Sequence, residues 1–409
     1  MRFIVIGITD NPQPFFPPEV LTFIQNGKIF SGGKRHHQIV APFLPNEAEW
    51  IDITAPLDAV FEQYTRLDGF PDEKAIIVFA SGDPLFFGFA NTIKKKLPDA
   101  EIILYPTFNS LQTLAHRLVL PYHDMRIVSL TGRPWQEFDR ALIEGTPKIG
   151  VLTDKEHTPT TIAQRMLDYG FTHYQMHVGE HLGNPTLERI TTLSLEAATQ
   201  QDFQHPNCLI LSPHPSVCGD FPATSPFGLP DSSFFLLNGR EKMITKMPIR
   251  LLTLQALDLP HRHTFWDIGF CTGSVSIEAR LLFPHLRIEA FEIRPECEAI
   301  IQENARRFHA PGINIHIGDF LSVCCDSIAT TLTPPDAVFI GGHGGHLKAF
   351  MAKLYPLLPT GGTIVMNSVT PQSLQLWQEA VTELHLTPHP STHIQLNDNN
   401  PITILKCTK

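Results

Sequence analysis

Short apolar runs alternate with stretches of helical spacing along this chain, and the alternation repeats from one end to the other. Phe3 to Ile6 reads as a buried strand ending at Gly7, followed by a proline-rich turn and a helix from Pro18 to Gln25. Ala75 to Ala80 is a strongly apolar strand, and Ser81-Gly82-Asp83-Pro84 turns it towards a helix, placing Gly82 and Asp83 at the carboxyl edge of a sheet, where ligands bind. Strand–helix pairs follow: Glu101 to Tyr105 with Ser110 to Leu120, Arg126 to Leu130 with Pro134 to Ile143, and Lys148 to Thr153 with Thr160 to Tyr169. Tyr174 to Val178 is a further strand, Leu182-Gly183-Asn184-Pro185 a turn, and Cys208 to Leu211 a late strand. This pattern predicts an α/β domain built on a mainly parallel sheet flanked by helices.

From Ser212 to Leu237 the periodicity gives way to Pro, Ser, Gly and Phe, which marks a connection between two domains. The expected division is 1–215, a linker over 216–240, and 241–409. The second series opens with a helix from Ile244 to Leu257, which brings Thr245, Lys246 and Arg250 towards the next site. A strand carrying Asp267, a helix after Gly273, a strand from Arg287 to Glu292 and a helix from Pro295 to Phe308 form one βαβα unit. Ile313 to Ile317 leads into Gly318-Asp319-Phe320, and Asp336 to Ile340 ends in Gly341-Gly342-His343-Gly344-Gly345-His346, with a helix to Leu358 after it. Gly362 to Met366, a helix after Pro371, and two closing strands, His389 to Leu396 and Ile402 to Lys406, complete it. Two adjacent final strands with no helix between them predict an antiparallel edge hairpin.

The 409 residues suffice for two or three domains with full cores, and 43% hydrophobic against 18% charged residues is normal for a globular protein. A net charge of −10 argues against a nucleic-acid surface, which needs clustered Lys and Arg. Seven scattered cysteines, among them Cys218, Cys324 and Cys325, include no CxxC pair, so reduced thiols in a cytoplasmic protein are expected. No apolar stretch is long enough to span a membrane. Ser31-Gly32-Gly33-Lys34-Arg35-His36-His37 reads as a loop, either solvated or gripping carboxylates through Lys34 and Arg35.

The chemistry concentrates in Asp267-x-Gly269-x-x-x-Gly273, a glycine turn through Phe270, Cys271 and Thr272 that opens a helix. Such a turn brings backbone and helix N-terminus against a ligand. Glu292, ending the next strand, can accept hydrogen bonds from ribose hydroxyls. With Gly318-Asp319-Phe320 and the glycine run at 341–345, four loops converge on one crevice. A nicotinamide dinucleotide wants Gly-x-Gly-x-x-Gly, but Cys271 and Ser274 occupy the second and third glycine positions. A nucleoside cofactor without phosphates, S-adenosylmethionine, fits better. Gly341 and Gly342 suit a lip for a flat substrate, and His343 has the pKa range of a proton donor or acceptor. Two imidazoles, His343 and His346, are too few for a metal site, and no metal is expected.

These residues give the whole chain a resemblance to the precorrin-6Y C5,15-methyltransferases of cobalamin biosynthesis, in which a tetrapyrrole-methylase domain is fused to a class I (Rossmann-like, doubly wound) methyltransferase domain. The N-terminal half resembles the first through Gly33-Lys34-Arg35-His36, Ser81 to Gly88, Ser129-Leu130-Thr131-Gly132-Arg133-Pro134 and Leu182 to Pro185. The linker is similar through Gly228 to Phe234 and Ile244-Thr245-Lys246, and the second half through Asp267 to Glu278, Asn304 to Phe308 and Pro335 to Gly342. The sequence departs at Cys271, where the family has glycine, at Met247-Pro248, and at Gly7-Ile8-Thr9-Asp10, which lacks a second glycine. The resemblance implies methyl transfer from S-adenosylmethionine to C5 (first domain) and C15 (second domain) of a corrinoid, with loss of the C12 acetate carboxyl. It further implies that Lys34, Arg35, Lys246 and Arg250 anchor substrate carboxylates, and a homo-oligomer without nucleic-acid or membrane partners is expected. A nicotinamide-dependent oxidoreductase and a non-catalytic tetrapyrrole-binding module are the alternatives.

Overall fold

The computed structural model describes residues 1–67, 75–214, 227–322, 332–397 and 400–409. Cys218, Cys324, Cys325 and residues 216–226 of the expected linker lie outside the described residues. The chain forms two compact units, one of Met1–Arg133, Pro147–Gln164 and His173–Cys218, the other of Pro134–Thr146, Arg165–Thr172 and Gly219–Lys409. No helix among the described residues is long and apolar enough to cross a membrane.

The first unit opens with β1 (Arg2–Ile8), β2 (Ile29–Gly32), β3 (Glu49–Asp52), β4 (Ile76–Ser81) and β5 (Glu101–Tyr105), a parallel sheet in the order β3-β2-β4-β1-β5. Its central strands are apolar on both faces because both are covered. Phe3, Val5, Val78 and Ala80 pack with Val60, Phe61 and Tyr64 of the helix Asp58–Arg66, while Ile4, Ile6, Ile77 and Phe79 pack with Val20 and Ile24 of the helix Pro18–Asn26. The end of β1 and the turn after β4 touch through their backbones: a Cβ on Gly7 would lie 1.9 Å from the Gly82 carbonyl oxygen, so only glycine fits.

A second sheet of β6 (Arg126–Ser129), β7 (Ile149–Leu152), β8 (Tyr174–Glu180), β9 (Arg189–Ser194) and β10 (Asn207–Pro213) runs β6-β7-β10-β8-β9. This corrects the expectation of one mainly parallel sheet. β10 inserts between β7 and β8 antiparallel to both, and only β6 and β7 are parallel. The basic segment at 31–37 is also no loop: Ser31 and Gly32 end β2, and Lys34 opens the helix Lys34–Val40. The Ser31 hydroxyl is buried against the Ile51 carbonyl (2.8 Å) and the Tyr64 hydroxyl (2.6 Å), a polar residue held in a strand by partners distant in sequence.

The second unit contains β11 (Thr264–Ile268), β12 (Arg287–Glu292), β13 (Ile313–Ile317), β14 (Ala337–Ile340), β15 (Thr363–Ser368), β16 (Thr387–Pro388), β17 (Thr392–Ile394) and β18 (Ile402–Thr408). The order β13-β12-β11-β14-β15-β18-β16 is parallel from β13 to β15, with β17 also paired to β18. The two closing strands form the expected antiparallel pair at this end of the sheet, β17 with β18, and β18 also joins the sheet antiparallel to β15, with the short β16 beyond it. Strand order reverses between β11 and β14, which opens a crevice above the carboxyl ends of the strands. Period-two alternation sends Trp266 and Ile268 to the core beneath the helices Leu347–Leu354 and Pro371–Glu383. Phe265 faces the helices Met247–Leu257 and Ser274–Leu282 on the other side.

Arg250 is not an anchor for substrate. It is fully buried, and its guanidinium pairs with Glu278 and Asp231 (3.1 Å) and donates to the carbonyls of Leu229 and Thr245. Glu278 also accepts from the N–H groups of Gly228 (2.8 Å) and Leu229 (3.2 Å), so this buried pair ties the segment before the helix Met247–Leu257 to the helix after the glycine turn. Arg250→Met leaves Glu278 and Asp231 without their counter-charge and is expected to lower stability by about 3 kcal/mol, read as a reduced urea midpoint. An unchanged midpoint would contradict the assignment of the pair as a structural tie.

Candidate functional site

In the second unit the loops after β11, β12, β13 and β14 are stitched together at one sheet edge. Gly269 and Phe270 donate to the Phe291 carbonyl (2.8 and 3.3 Å), Gly318 to the Glu292 carbonyl (2.9 Å), and Gly341 and Gly342 to the Ile268 carbonyl (2.8 and 3.3 Å). Gly269 has φ +79°, and a Cβ there would meet the Gly342 nitrogen at 2.6 Å. The turn after β11 and the glycine run after β14 thus approach backbone to backbone.

Cys271 sits at the bend of the turn, where the backbone leaves the right-handed regions. It takes the left-handed conformation itself (φ +51°), at a cost of about 1–2 kcal/mol, and its N–H donates to Glu292 Oε2 (3.0 Å). Glu292 also accepts from the backbone N–H groups of Ile293 (2.9 Å) and Arg294 (3.2 Å) and from Arg294 Nε (2.9 Å) and Nη2 (2.8 Å). Burial raises the Glu292 pKa, but the Arg294 hydrogen bonds and charge outweigh it and hold the carboxyl below its ordinary range. Arg294 was not expected from the sequence; its only sequence signal is its position two residues after the acid.

Asp267 behaves in the opposite way. Its side chain points towards the helix Ser274–Leu282, where Oδ2 accepts from the Ser276 hydroxyl (2.5 Å), while Oδ1 is buried without a partner. Burial, with the nearby Glu292 charge, pushes its pKa up to about 7 against the Ser276 hydrogen bonds. The Thr272 hydroxyl oxygen is likewise buried and unpartnered. Two orphaned polar atoms beside one glycine turn fit a ligand that brings its own donors, such as the ammonium and hydroxyl groups of S-adenosylmethionine.

Other expected residues fall less centrally. Phe270 and Cys271 are buried in the apolar cluster beside the helix Glu296–Arg307, and Gly273 (φ +73°) caps the start of the helix Ser274–Leu282. Phe320 turns its ring into the core, edge-on to Phe291 at 5.3 Å, which removes that ring from the ligand side. Gly318 is exposed, and Asp319 Oδ1 accepts from the Leu321 N–H (3.1 Å) in its own turn. Thr245 and Lys246 are half-buried, Lys246 as the N-cap of the helix Met247–Leu257. Gly341 and Gly342 are exposed, and His343 beside them is half-buried. His343 Nδ1 accepts from the Gly345 N–H (3.2 Å), so Nε2 carries the ring proton. Burial and then the His346 charge lower its pKa, leaving it neutral at pH 7. Among the described residues no group of three His, Cys, Asp or Glu side chains could hold a metal ion.

The first unit encloses a cavity of about 590 Å³ at the ends of β1 and β4, lined in part by Asp10, Arg35, His36, Ser81 and Gly82. Asp10 accepts from Arg35 (3.2 Å) and from His181 Nδ1 (3.0 Å). His36 Nδ1 accepts from the Gly33 N–H (3.3 Å), so its Nε2 carries the proton towards Ser81 Oγ (2.9 Å), where Arg35 Nη2 also donates (3.0 Å). Neither neighbour can take the Ser81 proton, which leaves that hydroxyl as a donor to the cavity. Burial and then the Arg35 charge lower the His36 pKa to about 4. Lys34 is exposed and absent from the lining, and Asp83 accepts from the Leu85 N–H (2.8 Å) in its own turn. Asp10 and His181, distant in sequence, were not expected as partners; only the fold brings them together.

The chain is similar to known proteins along most of its length. A family described as "Precorrin methyltransferase domain" matches residues 237–402. A precorrin-6Y C(5,15)-methyltransferase [decarboxylating] from Sinorhizobium sp is 32% identical over 374 residues, covering 90% of this chain and 84% of that protein. A cobalt-precorrin-6B C(15)-methyltransferase (decarboxylating) from Salmonella typhimurium is 31% identical, covering 42% of this chain and 93% of that protein. A cobalt-precorrin-7 C(5)-methyltransferase from the same organism is 27% identical, covering 51% and 97%.

Asp267 supplies a test of this geometry that needs no ligand. An acid whose folded pKa lies above its unfolded value binds a proton on folding, so stability falls as pH rises from the ordinary 3.8 towards about 7. Asp267→Asn is expected to be more stable than the unmodified chain above that window, with the advantage shrinking below it, in thermal melts across pH. A difference independent of pH would refute the raised pKa.

Proposed function

Since the chain belongs to the precorrin-6Y C5,15-methyltransferase family, we propose that it methylates a precorrin, cobalt-free or cobalt-bearing, at C5 and C15 and removes the carboxyl of the C12 acetate. The observation that carries this reading is the single match along 90% of the chain to a fused enzyme. Matches to separate C15 and C5 enzymes support it. The relatives reported above are all methyltransferases, which favours this reading over a nicotinamide-dependent oxidoreductase or a passive binding module.

The division into a tetrapyrrole-methylase-like domain (1–215), a linker (216–240) and a class I methyltransferase domain (241–409) is supported by the family match at 237–402. The second domain is assigned C15 methylation and decarboxylation, the first C5 methylation. When bound, S-adenosylmethionine supplies a methyl group already activated for transfer to carbon. In the second domain Glu292 and the turn Gly269–Gly273 would hold the nucleoside, with Asp267 and Thr272 offering their unpartnered oxygens to its donors. Thr245, Gly318, Asp319 and Phe320 are assigned to the rim of this pocket, Phe320 through its backbone alone. Gly341 and Gly342 would let the flat face of the substrate lie against main chain, and Lys246 would receive a carboxylate.

Decarboxylation breaks the bond to the carboxyl carbon, delocalises the electron pair into the macrocycle, and needs a proton at the carbon left behind. His343 is assigned that delivery as a relay: the ring takes up a proton from solvent at Nδ1 as it gives up the one on Nε2, so the imidazole is neutral before and after the step. In the first domain Gly82 and Asp83 would shape the second cofactor site, and Arg35 and Lys34 the approach of carboxylates. Reduced thiols support a cytoplasmic location, and a homo-oligomer is expected, which light scattering would check.

Calorimetric titration of the full chain with S-adenosylhomocysteine is expected to show two sites, one of them weakened about tenfold by Glu292→Ala. His343→Gln should leave both affinities intact while C15-methylated product accumulates with its acetate carboxyl retained. Absence of any binding would sink the methyltransferase reading.

A further inference from the structure

The cavity of the first unit has a mouth that the reading above leaves unexplained. Phe87 and Phe108 line it and stand 47% and 57% exposed. Phe87 has φ +52°, a left-handed conformation that costs a bulky residue about 1–3 kcal/mol and persists only where its surroundings enforce it. The strained backbone keeps an apolar ring at the surface. Phe86 packs edge-on to it at 5.3 Å, and the Arg133 guanidinium lies 5.0 Å from its centroid.

Arg133 lines the same cavity and is exposed, and its side chain has no carboxylate or carbonyl partner among the described residues. This separates it from the other cations near the cavity. Arg35 is already engaged by Asp10 and Ser81, and Lys34 lies outside the lining. A guanidinium stacked on a ring keeps its N–H edge free for a planar bidentate acceptor. The result is an exposed ring beside an uncompensated, pre-oriented cation.

We propose that Phe87 and Arg133 form the substrate subsite of the first unit, with the exposed part of the ring against the macrocycle and the guanidinium on one peripheral carboxylate. The ligand class is a large flat polycarboxylate. The inference rests on reading the first unit as a corrinoid methyltransferase, and it places specificity on a residue pair rather than on the basic helix at Lys34–Val40.

The test is an absorbance titration of the full chain, and of its Arg133→Gln and Phe87→Leu variants, with the corrin polycarboxylate cobyrinic acid and with its methyl ester. S-adenosylhomocysteine affinity is measured beside it as the check that each variant is folded. Arg133→Gln is expected to weaken one component of acid binding about tenfold and leave the ester unchanged, and Phe87→Leu to weaken both ligands. In both variants the KM for C5 methylation should rise while kcat and S-adenosylhomocysteine affinity hold. Unchanged acid binding in both variants would overturn the proposal, as would equal weakening of acid and ester by Arg133→Gln. An unmodified chain that transfers no methyl to C5 would instead overturn the functional reading of the first unit, and the titration would still decide the subsite.

Discussion

Glu292 is a carboxylate with five donors around it, and the crevice of the second unit takes its shape from that. One oxygen receives the N–H of Cys271 from the preceding turn, and the other receives the backbone of the residues that follow it. The acid therefore pins the loops after β11 and β12 to each other, and Arg294 closes it with two further bonds. A carboxylate offers about four lone-pair positions, so this one is saturated. A hydroxyl that binds Glu292 must exchange with a nitrogen of Arg294 rather than add to the shell.

Asp267 and Glu292 are both buried at the same sheet edge, yet their environments push them apart. Arg294 supplies charge and paired donors to Glu292, which keeps it ionised. Asp267 has one hydroxyl partner, one orphaned oxygen and a neighbouring negative charge, which favours its proton. One acid is held as a finished acceptor and the other is unfinished. Such unfinished polar groups are costly in the free protein and pay off only through a ligand, which is why they mark a site more sharply than burial alone.

What the sequence revealed follows from the range of the interactions that encode it. The turn at Gly269–Gly273 and the acid at Glu292 were legible because glycine turns and strand ends are local patterns, and the alternation of apolar residues placed their strands. The fate of Arg250 was not legible: its partners, Glu278 and Asp231, meet it only once the helix after the turn is packed. The direction of the Phe320 ring was illegible for the same reason, since Phe291 and Phe350 claim it from other strands and helices. β2 was missed because Ser31 and its glycines carry no apolar period, and it is Tyr64 and Ile51 that make a buried strand tolerable there. The second sheet of the first unit went astray in direction rather than in elements, because a late strand that inserts antiparallel leaves no local trace in the chain.

The two units handle charge differently, and the difference bears on how a polyanionic substrate can be bound by a chain of net charge −10. In the second unit Arg250 and Arg294 are matched by internal carboxylates. In the first, Arg35 is matched by Asp10. A cation already paired gains little from a second carboxylate, because the new contact mostly replaces an existing one. Counting basic residues near a pocket therefore overstates its attraction for anions, and the informative quantity is the charge left over. By that measure the exposed Arg133, stacked on a ring whose backbone is strained to keep it in the cavity mouth, outweighs the denser basic cluster at Lys34-Arg35.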